Sequence, residues 1–407
     1  MALRSSDHPD SSETSRAEAR QRRLPRAQEV RRVGPSGNYW YAAELSKNLK
    51  VGAIVEVKFW GQSIALFRGV DGKARAVENR CAHRQLELTR GVVQRNHIVC
   101  QYHGWSYDGC GSCVAIDHEL GKNRKRLPKI SIGAFPVRER YGLLWIFPGD
   151  PDLADQVPLP EIPELSAEKP WPVVPIDITI GSHFSMIVEN VCDFNHAFLH
   201  RRKQPFTQPV LNRHFREDET IHVLYDTSFH NSPLARLFAE KKDLDQIHLW
   251  YQYPYQGSDI GGKYLHWLFM LPQDERTTRC FFLFLFGPIH IPGTSLAIPD
   301  KVKLPFLRLA NRLYIEPLLA EDQWALESEQ RGFDQHHDQP FYELNPIVPE
   351  FQALTIERYH TYNTHMLARG LARGARAANV SHQGSSVQES SKSSHPGAGG
   401  GASSVAD

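Results

Sequence analysis

Two short stretches, Cys81-Ala-His83 and Cys100-Gln-Tyr-His103, stand sixteen residues apart and constrain this chain more than anything else in it. Each brings one thiolate and one imidazole close together, so four soft or borderline ligands can converge from two loops on a single metal centre. Structural zinc takes the same residue types, but zinc fingers place C-x-x-C ahead of H-x(3–5)-H. Here each half mixes the two kinds of ligand.

The flanking sequence reads as short strands. Ala53–Trp60, a Gly61-Gln62 turn, Ser63–Arg68, an Asp71-Gly72 hairpin signal and Lys73–Val77 precede the first loop. A strand around His97–Val99 separates the loops, an Asp108-Gly109 turn follows the second, and Tyr141–Phe147 closes the region. This describes a small all-β domain presenting two loops at one end. The layout, with C-x-H, sixteen residues and C-x-x-H, resembles the Rieske iron-sulfur domain. The resemblance implies one 2Fe-2S cluster, with Cys81 and Cys100 on one iron and His83 and His103 on the other. Neutral imidazoles in place of two thiolates raise the potential from roughly −400 mV to between about −150 and +300 mV.

Cys110-Gly-Ser-Cys113, just after the Asp108-Gly109 turn, reads as packing or a fortuitous pair rather than a second metal or regulatory disulfide. Six cysteines in 407 residues are too few for a disulfide-stapled secreted scaffold, which points to a reducing cytoplasm. With 47 basic and 46 acidic residues, the net charge of +1 gives no bulk electrostatic case for nucleic acid. No secretory h-region and no apolar run long enough for a transmembrane span is present.

Composition divides the chain. Residues 1–36 are polar and charged and read as a disordered extension; residues 37–150 are the stretch that resembles the Rieske domain. Pro151, Pro158, Pro160, Pro163 and Pro170 mark a linker that opens a second domain, 151–367. Residues 368–407, rich in Gly, Ser and Ala, read as a disordered tail.

In the second domain, Ser185–His200 reads as one helix with Asn190, Asp193, His196 and His200 on one face, spaced three, three and four. Four polar residues on one stripe of a largely apolar helix are costly to bury without partners, and a metal supplies the partner. Two histidines plus a carboxylate from elsewhere make the facial triad of non-haem iron(II) oxygenases, which leaves positions open for O2 and substrate. N-x-x-D-x-x-H-x(3,4)-H is what Rieske oxygenases carry in their catalytic domain, so the chain resembles the terminal oxygenase (alpha) subunits of that family.

That resemblance implies an α+β architecture: a β domain followed by a helix-grip, START-like catalytic domain with a curved antiparallel sheet. It implies one mononuclear Fe(II) on His196, His200 and Asp322, since Glu321-Asp322 through Gln330 looks like the family's E-D-x-x-x-x-E-x-x-Q helix, with Glu321 as the reserve ligand. It gives Asp193 the role of bridging a cluster histidine of a neighbouring subunit to an iron-binding histidine, hence a homotrimer. No dinucleotide or flavin motif is present in the chain. A ferredoxin or flavin reductase drawing on a reduced nicotinamide is therefore the expected electron donor.

Gln246–Tyr253, Tyr264–Leu271 and Arg279–Phe286 read as aromatic strands, mostly core. Lys301–Tyr314 reads as a helix starting near Pro305, packed on the sheet through Phe306, Leu309, Ala310 and Leu313, with a membrane-surface helix as the second reading. His336 and His337 read as surface residues in a loop. The expected reaction is hydroxylation or oxidative demethylation of a bulky hydrophobic molecule, a polycyclic aromatic, sterol or secondary metabolite, ahead of cis-dihydroxylation. A simple electron carrier or a zinc-bearing binding module are the readings from other classes.

Overall fold

The structure, a computed structural model, describes residues 25–116, 129–196, 198–200, 207–228, 245–262, 264–289, 296–339 and 341–371. The glycine-rich tail from 372 onward and residues 1–24 lie outside the described residues.

Eleven short strands build the first region. β2 (Ile54–Phe59), β3 (Gln62–Arg68), β4 (Ala74–Glu78) and β9 (Ala134–Phe135) make one antiparallel sheet; β5 (Val92–Gln94), β6 (His97–Val99), β7 (Trp105–Tyr107) and β8 (Cys113–Ile116) make a second. β1 (Tyr41–Leu45), β10 (Val137–Arg140) and β11 (Leu143–Ile146) form a third. Gly61 and Gly72 take positive φ at the hairpin turns, as Asp-Gly and Gly-x signals require.

The second region is a seven-stranded antiparallel sheet in the order β12 (Val173–Ile180), β18 (Thr277–Phe286), β17 (Tyr264–Asp274), β16 (Tyr255–Ile260), β15 (Asp245–Gln252), β14 (Thr220–Ser228), β13 (Thr207–Glu217). The unbroken apolar run of β18 has a plain cause. Phe281, Leu283 and Leu285 face a core shared with the β domain, while Cys280, Phe282, Phe284 and Phe286 face a core shared with the helices. Period-two alternation thus buries both faces of one strand. Pro175 sits in β12, an edge strand, where its missing N–H costs least. The linker supplies Ala154, Leu159 and Ile162 to the shared core.

Four expectations are corrected. Residues 25–36 are ordered: helix α1 (Arg26–Glu29) runs into a 3-10 turn, Val30–Arg32, with Val30 and Val33 buried against Ile356. Arg31 is buried and its guanidinium meets Glu189 at 2.7 Å and Glu329 at 3.0 Å. The segment looks disordered by composition because its partners lie far along the chain.

The helix expected over 185–200 stops early. α2 spans Phe184–Cys192; Asp193 is extended (φ −102, ψ 99) and its carboxylate accepts from Asn195 N at 2.8 Å, starting a 3-10 turn, Phe194–His196. A short Asp side chain offers the backbone this competing turn.

α3 (Asp300–Ala310) begins five residues before Pro305, which lies inside it, and continues through a π-helical turn, Asn311–Ile315, into α4 (Glu316–His336). Its buried side carries Lys303 and Leu307; Phe306, Leu309 and Leu313 point to solvent. His336 ends α4 rather than lying in a loop, and both it and His337 are exposed. α5 (Val348–Ala368) closes the described chain against α1 and α2.

Candidate metal centres

The first Cys/His loop leaves β4 and is closed by Cys81 N donating to Leu86 O at 2.8 Å and Gln85 N to Cys81 O at 2.9 Å. The second leaves β6 and is closed by Cys100 N to Trp105 O at 2.8 Å and Gly104 N to Cys100 O at 3.1 Å, with Gly104 at φ 68. The tips meet. His83 and His103 have ring centroids 4.6 Å apart, and His83 stacks flat on Trp105 at 4.9 Å. Both cysteines are buried.

Their surroundings suit bound thiolates. Cys81 Sγ lies 3.3 Å from Tyr107 Oη, which also accepts from Ala82 N at 3.0 Å. A metal-bound thiolate has no proton to give, so with Cys81 as a ligand the phenol O–H is the donor to sulfur. Burial raises the Cys100 thiol, while the backbone N–H groups of Tyr102 and His103 act against burial by favouring the thiolate. N–H and O–H donors on sulfur are what tune an iron-sulfur cluster's potential. Cys110 is exposed and Cys113 is buried in the β-domain core, both as free thiols.

His196, His200 and Asp322 come together although the helix ends before Asp193, ahead of both histidines. One ligand atom from each lies within 4.8 Å of the others. His200 Nε2 is 3.3 Å and His196 Nε2 3.6 Å from Asp322 Oδ1. Ligands about 2.1 Å from a common ion sit about 3 Å apart at right angles, and the two histidine-to-carboxylate distances lie close to that, so the donor set suits a small divalent metal.

The neighbours orient these groups. His200 Nδ1 bonds Glu321 Oε2 at 2.8 Å, and Asn190 Nδ2 donates to Asp322 Oδ1 at 3.4 Å. Burial lowers the His196 pKa against the opposing charges of Asp322 and Asp193, favouring the neutral, ligating imidazole. For His200 burial also pulls down, but hydrogen bonds and charge from Asp322 and then Glu321 outweigh it and the pKa rises. Asp193 is half-buried beside His196, whose imidazole also bonds its backbone carbonyl.

Glu321 is thus brought to His200 rather than into the set of three. Two other contributors escaped the sequence reading. Glu189 holds Arg31, and His183 caps α2 by accepting from Ser185 N at 3.2 Å. A histidine just before an apolar helix was the available signal.

A β domain with paired Cys-His loops, joined to a sheet-and-helix domain with a two-histidine, one-carboxylate cluster, defines a two-centre metallo-oxidoreductase. Comparison with known proteins agrees. The family description "Rieske [2Fe-2S] domain" matches residues 39–127. The chain is 57% identical over 349 residues to 4beta-methylsterol monooxygenase of Methylococcus capsulatus, covering 85% of this chain and 95% of that protein. It is 33% identical over 171 residues to the oxygenase component of dicamba O-demethylase of Stenotrophomonas maltophilia, 40% of this chain and 47% of that one. In fold it is similar to dicamba monooxygenase bound to dicamba (TM-score 0.66, 23% identity, 83% of this chain and 100% of that chain). It is also similar to the terminal oxygenase of carbazole 1,9a-dioxygenase from Nocardioides aromaticivorans IC177 (TM-score 0.62, 21% identity, 83% and 98%). The chain belongs to the Rieske non-haem iron oxygenase alpha-subunit family and is an oxidoreductase.

Proposed function

We propose that this chain is a terminal oxygenase that inserts one oxygen atom into a methyl group of a sterol-like substrate, as the first step of hydroxylation or oxidative demethylation. The observation that carries this is the 57% identity to a 4beta-methylsterol monooxygenase across 95% of that protein. In this reading Cys81, His83, Cys100 and His103 hold the 2Fe-2S cluster, and His196, His200 and Asp322 hold one Fe(II). Bound there, the iron supplies O2 activation and the cluster supplies the electron it needs.

The protein's own groups do the rest. Glu321 fixes the His200 tautomer so that Nε2 is the ligating atom; Asn190 orients Asp322; Asp193 sets the turn that delivers His196. Asp193 is also the crossing point to a neighbour's cluster in a homotrimer. A ferredoxin or flavin reductase using NAD(P)H provides the electrons.

The test is reconstitution with NADH, a ferredoxin–reductase pair and 18O2, offering a 4-methylsterol or a small aromatic acid. A sterol product with one label atom at the methyl carbon is expected. Turnover of the aromatic acid alone, or two label atoms on adjacent carbons, overturns the reading.

A further inference from the structure

The described part of α3 turns a row of large apolar side chains to solvent. Val302, Phe306, Leu309 and Leu313 are 52%, 69%, 53% and 55% exposed, and their spacing of four, three and four makes a stripe about 16 Å long. The opposite side is anchored: Lys303, Leu307 and Asn311 are buried, and Lys303 Nζ reaches Gly287 O at 3.2 Å and Asp300 at 2.9 Å. Tyr314, 42% exposed, follows Leu313 at the end of the stripe, where the exposed Glu316 opens the next helix. Single exposed leucines are ordinary, but a continuous stripe marks a contact surface.

Charge selects the partner. Residues 301–315 contain Lys301, Lys303, Arg308 and Arg312 and no acid. The three exposed cations, at 301, 308 and 312, fall on one flank of the stripe, and none forms an ion pair among the described residues. A second copy offering the same face would set one cation row against another. An anionic bilayer matches both the stripe and the row, because a helix lying in the headgroup plane buries its apolar side and pairs its basic flank with lipid phosphates. Tyr314 at the end of the stripe suits that boundary.

We propose that α3 and its π-helical continuation form an interfacial docking surface for an anionic phospholipid bilayer. The surface holds whatever the substrate is. It gains a purpose if the substrate is a membrane-dissolved sterol, because the docked helix runs straight into α4, which carries Glu321 and Asp322.

The test uses the full chain with sterol-free vesicles, so that its outcome is separate from the substrate reading. Co-sedimentation with vesicles containing phosphatidylglycerol is expected, and weaker binding to phosphatidylcholine alone. F306S/L309S lowers affinity by about tenfold or more, since each lost side chain removes at least that much on burial. R308Q/R312Q lowers affinity for the anionic vesicles by about fivefold per cation and leaves phosphatidylcholine binding unchanged. Circular dichroism and cluster absorbance check folding, and the charge variant stands if the apolar one misfolds. Wild-type protein that stays in the supernatant overturns the proposal, as do variants that bind like wild type. A change of solution mass in F306S/L309S with vesicle binding intact also overturns it, making the stripe an interface between copies.

Discussion

His200 and Glu321 face each other at 2.8 Å, Nδ1 to Oε2, across 121 residues of sequence. The contact divides the work of two adjacent acids: Glu321 holds the ring and Asp322 faces the second nitrogen. Groups that orient a metal-binding histidine typically cost 10–100-fold in affinity when removed. We therefore expect E321A to weaken iron binding by about 10–100-fold and D322A to abolish it. Iron per chain after dialysis against graded chelator measures both. If E321A loses all iron while D322A keeps it, the roles are reversed.

The Asp193 carboxylate accepts from Asn195 N, 2.8 Å away, through Oδ1. Under the trimer reading its remaining lone pairs serve a neighbour. D193N is expected to retain the cluster absorbance and iron content but lose most turnover. Co-assembled C100S and D322A chains are each expected to be inactive alone and to recover activity together, because one donates the cluster and the other the iron site. No recovery in a verified mixed oligomer would mean that electrons pass within one chain.

Short-range signals were the readable ones. The Cys/His loops, their hairpins and the strand pairs around Asp71-Gly72 depend on turn chemistry within a few residues, and the structure forms them there. The approach of His196 to His200 was also readable, but not its means: one helix was expected, and Asp193 ends it by taking up its own local turn. Arg31 looked like part of a solvated tail because Glu189 and Glu329, its partners, lie 158 and 298 residues away. The orientation of α3 was misread because amphipathic spacing tells which residues share a side and not which side faces inward.

Arg279 joins the two regions. Its guanidinium bonds Asp177 Oδ2 of β12 at 2.6 Å and Glu44 Oε2 of β1 at 3.0 Å, and lies over the Phe281 ring at 4.7 Å. All three charged side chains are less than a quarter exposed. Removing one member of such a cluster leaves a buried charge without compensation, so R279A should cost about 3–5 kcal/mol. R279M combined with E44Q and D177N should recover most of that, since no bare charge remains. Urea unfolding measures it; a loss below about 1 kcal/mol would mean that solvent screens the cluster.

Acid sensitivity is expected from His183, which is buried between α2 and the N-terminal segment. Its Nδ1 accepts from Ser185 N, so its Nε2–H donates to Val33 O at 3.1 Å, and this neutral tautomer is built into the helix cap. Burial first, and then the charge of Arg31, push its pKa down to about 3, against the opposing pull of the Val33 carbonyl. The unfolded chain, with a value near 6.5, then binds more protons between those limits. Its contribution to stability is complete above about pH 6.5 and is lost at up to about 1.4 kcal/mol per unit as pH falls toward 3. Between pH 7 and 5 the wild type should lose about 1–2 kcal/mol more than H183N, whose amide can cap the helix without titrating. Denaturant unfolding at the two pH values reads the difference, and parallel losses in the two proteins would show that His183 protonates as easily in the fold as outside it.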